Sequence, residues 1–243
     1  MTGKTATPEV TMSSKGEKLP FHFWLGLALI AVCWPLNWGL SGLRTQWLFF
    51  PLWVGFCLTI DALVWLRKGS SLLTRNPRKY IGLFLCSAPA WWLFELLNLR
   101  LQNWIYLGRP LFGTPLHILQ DSLSFSTVMP AVFGAAELAG TFRWVRNLGP
   151  GPRVSPTPPV LTGLFLAGWI MLAALLIWPQ IFFGLVWLSI YFILEPLNFR
   201  LGHRTLIRRT SERDWRPIVA LWVGCLICGF FWEMWNFYSY PKW

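Results

Sequence analysis

FELLNLRL, at residues 94–101, places an acid and an amide three positions apart inside an apolar run. The same Glu-x-x-Asn pattern recurs in LEPLNFRL at 194–201 and in WEMWNF at 232–237. Residues three apart lie on one face of a helix, so each copy directs two polar side chains the same way. Because the flanking residues suit a membrane span, each pair is energetically costly and is a candidate functional site.

The composition is that of a polytopic membrane protein. Of the 243 residues, 55% are hydrophobic and 13% are charged, which lies outside the range of ordinary soluble domains. The net charge of +11 would suggest a nucleic-acid partner in a soluble protein, but in a membrane protein it indicates basic cytoplasmic loops. The chain has no phosphate-binding loop and no zinc signature, so we expect no metal, no cofactor and no nucleic acid.

Seven stretches are long and apolar enough to cross a bilayer, for which about 20 residues are needed. They are residues 21–40, 47–65, 80–99, 116–140, 160–178, 181–199 and 217–238. Residues 1–20 are polar and are predicted to form a disordered cytoplasmic tail. The first span lacks a small-residue cleavage site, so we expect a retained helix and no cleaved signal peptide. The sequence therefore predicts an all-α protein with a single transmembrane domain at 21–243.

The basic residues indicate an orientation. With the N-terminus inside, the tail and the loops at 66–79, 141–159 and 200–216 hold all but four of the 21 Lys and Arg residues. The four outside are Arg44, Arg100, Arg109 and Lys242. Because cytoplasmic loops carry an excess of basic residues, this distribution predicts a multi-pass, N-in and C-out protein of the cytoplasmic (inner) membrane.

The second half of the chain is similar to the first. Trp53 and Asp61 have the spacing of Trp187 and Glu195, and a basic loop follows each pair before the next Glu-x-x-Asn helix. This pattern predicts a parallel 3+1+3 internal repeat. Its parts are repeat 1 at about 21–115, a fourth helix at 116–140, a basic Pro/Gly-rich loop at 141–159 and repeat 2 at about 160–243. Since a further helix follows the first repeat, we also expect an eighth helix after residue 243.

Six of the ten acidic residues fall inside predicted spans. Toward the outer end of the helices lie Glu95, Asp121 and Glu233, and toward the inner end lie Asp61, Glu137 and Glu195. We expect these acids to face the protein interior, to be hydrogen-bonded and to stay partly protonated. Hydrogen bonding between helices, worth about 0.6–2 kcal/mol, is the alternative explanation for them. We favour chemistry for the outer acids, and for the inner ones a structural role is equally open.

Further motifs follow Glu95 and Asn98 along the chain. Trp104 and Tyr106 come next, then a loop with Gly113 and Pro115, and then Asp121 and Phe125. Over residues 91–130 this order resembles the membrane domain of the bacterial and fungal lycopene cyclases, a family that also duplicates a three-helix unit. In that family the acid and Asn are adjacent rather than three apart, and Gln120-Asp121 stands here where the family has paired Glu residues.

The resemblance implies non-oxidative isomerisation or cyclisation of a polyene or isoprenoid lipid. A carboxylic acid would protonate a terminal double bond, aromatic faces would stabilise the carbocation, and a second carboxylate would remove a proton. The catalytic residues implied are Glu95, Asn98, Asp121, Glu233 and Asn236. The substrate-binding residues implied are Trp91, Trp92, Trp104, Tyr106, Trp232 and Trp235.

Two other functions remain open at this point. A non-catalytic subunit of a larger membrane complex would bind a pigment, a quinone, a lipid or partner helices on the same aromatic surfaces, and other subunits would copurify with it. A small-solute transporter is the third function, because parallel three-helix repeats occur in sugar-efflux proteins. A transporter predicts a polar cavity at the bilayer midplane, whereas these acids lie near the two faces.

Overall fold

The computed structural model describes residues 19–40, 42, 45, 47–107, 113–240 and 242. Across those residues the chain forms twelve helices and an isolated β-bridge. The helices are α1 (Phe21–Gly39), α2 (Phe49–Lys68), α3 (Leu72–Arg75), α4 (Pro77–Leu101), α5 (Pro115–Ser126), α6 (Val128–Ala139), α7 (Arg143–Arg146), α8 (Pro158–Ile177), α9 (Pro179–Phe182), α10 (Leu185–Arg200), α11 (Leu206–Ser211) and α12 (Arg216–Phe237). The predicted tail up to residue 18, Arg44 and Arg109 lie outside the described residues.

The helices confirm an all-α polytopic membrane protein. Six segments in the described ranges are long and apolar enough to cross a membrane. Five of them are the single helices α1, α2, α4, α8 and α12, and the sixth consists of α5 and α6 combined. The seventh predicted span, 181–199, corresponds to α10, which has only 16 residues. It is shorter than expected because Pro179 begins the separate turn α9, and the helix restarts only after Gly184.

Glycines allow the central helices to approach closely. A Cβ atom on Gly26 of α1 would lie 2.8 Å from the carbonyl oxygen of Gly55 in α2. A Cβ atom on Gly224 of α12 would lie 2.6 Å from the backbone nitrogen of Ala136 in α6. Small residues at helix crossings produce this close packing in membranes. The resulting core of α1, α2, α6 and α12 buries Trp53 among its largest side chains.

Helices α8 and α10 form a separate hairpin. A Cβ atom on Gly168 of α8 would lie 2.9 Å from the carbonyl oxygen of Ser189 in α10, so the two backbones touch at that point. The turn α9, which begins at Pro179, joins the two helices. The hairpin meets the rest of the bundle at α4, where Leu175 and Val186 pack against Leu101.

Asp61 and Glu195 have the same structural role in the two halves of the chain. Asp61 accepts a hydrogen bond from the N–H of Leu73 (3.0 Å), and Glu195 accepts one from the N–H of Ile207 (2.6 Å). In both cases the donor lies twelve residues later and is the second residue of a short helix, α3 or α11. A carboxylate there satisfies a helix N–H that has no partner within its own helix. This equivalence supports the repeat, and Asp61 and Glu195 are structural.

The basic loops meet at one end of the bundle. Glu137 accepts two hydrogen bonds from the guanidinium of Arg75 (2.6 and 2.8 Å) and is paired with Lys68. On the same side, the N–H of Gly151 donates to the carbonyl oxygen of Arg213 at 3.0 Å. The loops predicted to be inside therefore share one face of the protein, and Glu137 joins two of the spanning segments there.

Candidate functional site

A cavity of about 850 Å³ lies among α2, α4, α5, α6, α10 and α12. Its aromatic lining residues are Phe49, Trp53, Trp91, Phe94, Trp104, Tyr106, Phe125, Phe133, Trp187 and Trp232. Its charged lining residues within the described part of the chain are Asp121, Glu233 and Lys242. Ligand pockets commonly measure roughly 300–1,000 Å³ and have mostly apolar walls. The cavity is thus a candidate site for an apolar molecule that meets a few polar groups.

A break in the fourth predicted helix shapes this cavity. The helix is interrupted at Thr127, between α5 and α6, near Pro130, which has no N–H to donate to the preceding turn. Ser87 of α4 satisfies backbone groups at the break: its hydroxyl donates to the carbonyl oxygen of Phe125 (2.5 Å) and accepts from the N–H of Met129 (3.0 Å). Ser87 thereby fixes α4 against the break beside which the cavity lies.

Tryptophans from separate segments stack in the cavity wall. The rings of Trp91 in α4 and Trp232 in α12 have centroids 5.4 Å apart and planes at 29°. The ring centroid of Trp187 in α10 lies 5.8 Å from that of Trp91. Trp187 also stacks on Trp104, with an angle of 14° between the ring planes. The faces of such rings carry negative electrostatic potential and attract a cation. The wall can therefore stabilise positive charge as well as bind apolar surface.

Glu95 is completely buried behind this wall and accepts hydrogen bonds from three aromatic side chains. The indole N–H groups of Trp91 and Trp104 donate to Oε1 at 3.0 and 3.2 Å, and the hydroxyl of Tyr106 donates to it at 2.6 Å. From the described part of the chain, Oε2 receives a longer bond of 3.3 Å, which Trp104 shares between the two oxygens. No ion pair to Glu95 occurs among the described residues. Glu95 therefore orients three residues of the cavity wall.

Asn98 holds the loop after α4 in place. Its Nδ2 donates to the carbonyl oxygen of Trp104 (2.8 Å), and its Oδ1 accepts from the N–H groups of Asn103 (3.0 Å) and Trp104 (3.4 Å). The chain reverses at Gln102, whose φ of 50° is the left-handed conformation common after a helix. The Glu-x-x-Asn pattern thus has a physical explanation: Asn98 turns the loop back, and Glu95 binds the side chains that return.

The second copy of the motif has a different environment. Glu233 is exposed and lines the cavity directly. The carbonyl oxygen of Asn236 accepts from the N–H of Ser239 (3.1 Å), so this Asn also lies at a chain reversal. After that turn, Lys242 pairs with Leu107 in a two-residue β-bridge that joins the ends of both copies beside the cavity. Glu95 and Glu233 are equivalent in sequence, but only Glu233 lies on the wall.

Asp121 is the buried carboxyl group of the wall. It is 1% exposed, and its charge acts on Tyr106, which lies outside the spanning helices. Burial and then the charge of Glu95, with a smaller contribution from Asp121, raise the pKa of Tyr106 well above its ordinary value. Tyr106 consequently keeps its proton and donates to Glu95 over the whole ordinary pH range.

The structure brings most of the predicted site residues to one place. Those that line the cavity are Trp91, Trp104, Tyr106, Asp121, Trp232 and Glu233. Trp92 instead donates to the hydroxyl of Ser122 at 3.0 Å, and Trp235 is buried in the core against Trp53 and Phe56. Glu95, Asn98 and Asn236 act on the wall or on its loops from behind.

Sequence reasoning did not assign Trp187 or Trp53 to the site, although both line the cavity. In the sequence, their equal spacing to Glu195 and Asp61 indicates only the repeat. That spacing is also a signal for a role, because two equivalent tryptophans in the predicted parallel repeats are expected to face a shared interior. The sequence identifies Lys242 only as an outer basic residue, because its place at the cavity depends on the bridge to Leu107.

Comparison with protein-family models, curated proteins and solved structures finds no significant match to this chain. Among the described residues, no group of three or more His, Cys, Asp or Glu side chains is arranged to hold a metal ion.

Proposed function

We propose that the chain is an integral membrane enzyme that isomerises or cyclises a polyene or isoprenoid lipid by acid–base chemistry. The observation that carries this proposal is an aromatic cavity with two carboxyl groups, Asp121 and Glu233, on its wall. An aromatic wall suits an unsaturated hydrocarbon, and carboxyl groups beside it offer proton transfer. The resemblance of residues 91–130 to lycopene cyclases points to the same reaction.

The proposed reaction changes no atom count. One wall carboxyl donates a proton to a terminal carbon–carbon double bond, which leaves a tertiary carbocation and a carboxylate. A second double bond of the substrate attacks the cation, forming a carbon–carbon bond that closes a ring and moves the positive charge. The other wall carboxyl, as its carboxylate, removes a proton from the adjacent carbon, and a new double bond forms. The product is an isomer of the substrate.

Each part of the wall has a task in this reaction. Asp121 and Glu233 transfer the protons, because they are the acids that line the cavity. The stacked faces of Trp91, Trp104 and Trp232 stabilise the cation. Glu95 is a positioning residue, since it binds three side chains of the wall without lining the cavity itself.

The proposed setting is the cytoplasmic (inner) membrane, with the basic face inside. The substrate then reaches the cavity from the lipid phase and no soluble partner is needed. An apolar aromatic wall offers few partners to a polar solute, so the transporter is the weakest of the three functions. A pigment- or quinone-binding subunit would use the same cavity without turnover.

The test is turnover in deuterated water. Purified protein in liposomes would receive an acyclic C40 polyene, and mass spectrometry would follow the products. We expect an isomer of unchanged mass in H₂O that carries one added deuterium in D₂O. Variants Asp121→Asn and Glu233→Gln should lose roughly 100-fold or more in rate, whereas Glu212→Gln, an exposed acid outside the cavity, should keep the full rate.

Full activity in both cavity variants would refute the assigned chemistry. Recovery of the unchanged polyene from the protein, with no isomer formed, would favour the binding subunit instead. The same extraction from freshly purified protein identifies any ligand that copurifies.

A further inference from the structure

A second recess lies at the basic face, away from the aromatic cavity. It has a volume of about 400 Å³ and lies among the ends of α2, α6 and α7 and the beginning of α12. The proposed isomerisation makes no use of it. Its lining residues include the basic side chains Lys68, Arg146, Arg209 and Arg216 and the acids Glu137 and Asp214.

Positive charge exceeds negative charge in this recess, and both acids are already paired. Glu137 is bound by Arg75 and Lys68. Asp214 accepts from Nε of Arg216 at 2.7 Å, and Nη2 of Arg209 lies 3.9 Å from its other oxygen. Each acid is therefore already paired with basic side chains. The four basic and two acidic lining residues together leave a net charge of about +2.

Arg146 is the basic group of the recess without an acidic partner in the described chain. It is the last residue of α7 and its side chain is exposed. A free guanidinium presents parallel N–H donors that match two oxygens of a phosphate group. The recess thus combines an unpaired Arg with a surplus of positive charge.

The floor of the recess is apolar. Gly140, Val145, Pro217 and Ala220 line it, and Val145 and Ala220 are buried. These residues lie where α6 ends and α12 begins, at the ends of two of the candidate membrane spans. A ligand there meets both apolar and cationic groups. Basic pockets at the ends of membrane helices match the headgroups of anionic lipids in this way.

We propose that the recess binds the phosphodiester headgroup of an anionic phospholipid, with Arg146 as its main phosphate contact. Free phosphate has the same anionic chemistry, but it would leave the apolar floor uncovered. This proposal is independent of the reaction in the aromatic cavity, because it concerns the opposite end of the bundle.

The experiment compares three additions to detergent-purified protein: short-chain phosphatidylglycerol, short-chain phosphatidylcholine and sodium phosphate. A ligand that binds the folded state raises the Tm as its concentration increases. We expect phosphatidylglycerol to raise the Tm and the other two to have little effect. In Arg146→Gln the midpoint concentration for this rise should increase at least threefold. Arg78 is an exposed residue at the beginning of α4, on the basic face but outside the recess. The variant Arg78→Gln should behave like the wild type.

An equal rise in Tm with phosphatidylcholine would refute the preference for an anionic headgroup. An equal rise with phosphate would refute the preference for a lipid. An unchanged midpoint in Arg146→Gln would overturn the recess as the site. Native mass spectrometry gives a second readout that does not depend on melting: one phosphatidylglycerol should stay bound to the wild type and to Arg78→Gln, and should be lost from Arg146→Gln.

Discussion

The hydroxyl of Tyr106 donates a 2.6 Å hydrogen bond to Oε1 of Glu95, eleven residues earlier in the chain. This bond ties the loop that follows α4 back onto the helix from which it emerges. Tyr106 lines the aromatic cavity and Glu95 does not. Through this bond, the buried Glu95 fixes the position of a side chain in the cavity wall. The packing of the wall and the position of Glu95 are therefore linked through this residue pair.

Replacing Tyr106 by Phe tests this pair. The substitution removes the shortest bond to Glu95 and leaves Trp91 and Trp104 as donors, so we expect the free energy of unfolding to fall by about 1–3 kcal/mol. Denaturation in detergent measures the change. Tyr238→Phe, in which an exposed side chain loses its hydroxyl, is the matched control and should stay within about 0.5 kcal/mol of the wild type. Equal stability of both variants would contradict the role given to Tyr106.

Replacing Asn98 by Ala should release the loop at 102–106. The change removes one donated and two accepted hydrogen bonds, and we expect a loss of about 2–3 kcal/mol. Limited proteolysis gives a local readout, since cleavage within the loop should become faster. Asn98→Asp keeps an acceptor oxygen, so its cleavage rate should lie between those of the wild type and Asn98→Ala. Asn147→Ala, an exposed residue after α7, should leave the cleavage rate unchanged.

Acid should weaken the basic face through Asp214. The hydrogen bond from Arg216 lowers the pKa of Asp214 below its ordinary value, which is about 3.9 for a free Asp. A depressed pKa in the folded state contributes stability that is present above about pH 4 and is lost as the pH falls through the folded value. We expect Asp214→Asn to be less stable than the wild type at pH 7 and to lose less stability between about pH 5 and pH 3. Parallel stability curves for the two proteins would refute this.

Gly168 and Gly163 on α8 offer a matched pair of substitutions. Alanine at Gly168 would place its Cβ 2.9 Å from backbone atoms of α10, which cannot move aside as a side chain can, whereas nothing lies within 4 Å of a Cβ at Gly163. We expect Gly168→Ala to destabilise the hairpin by about 1–3 kcal/mol and Gly163→Ala to be neutral or slightly stabilising. Thermal unfolding in detergent distinguishes them, and the reverse order would be inconsistent with the close approach of α8 and α10.

Several features could be predicted from the sequence because they depend on local pattern. Apolar length predicted the six candidate spans, and the spacing of Trp53 to Asp61 predicted the repeat. The break at Thr127 could not be predicted, because it is completed by Ser87 from another helix. The different environments of Glu95 and Glu233 also depend on tertiary structure: an aromatic loop returns over the first, whereas the second faces the cavity.

Asp61 and Glu195 have equivalent hydrogen bonds in the two halves of the chain, and their contributions to the free energy of unfolding can be compared. Each accepts the second N–H of a short helix, and Asp61 also accepts from the hydroxyl of Ser71 at 2.6 Å. Asp61→Asn and Glu195→Gln keep the shape but remove the charge, so each should cost about 1–2 kcal/mol. The acids share no hydrogen-bond partner among the described residues, and the double variant should therefore equal the sum of the single ones within about 0.5 kcal/mol. Denaturation of the four proteins gives the coupling energy, and a value above about 1 kcal/mol would mean that the two halves of the chain do not use these acids independently.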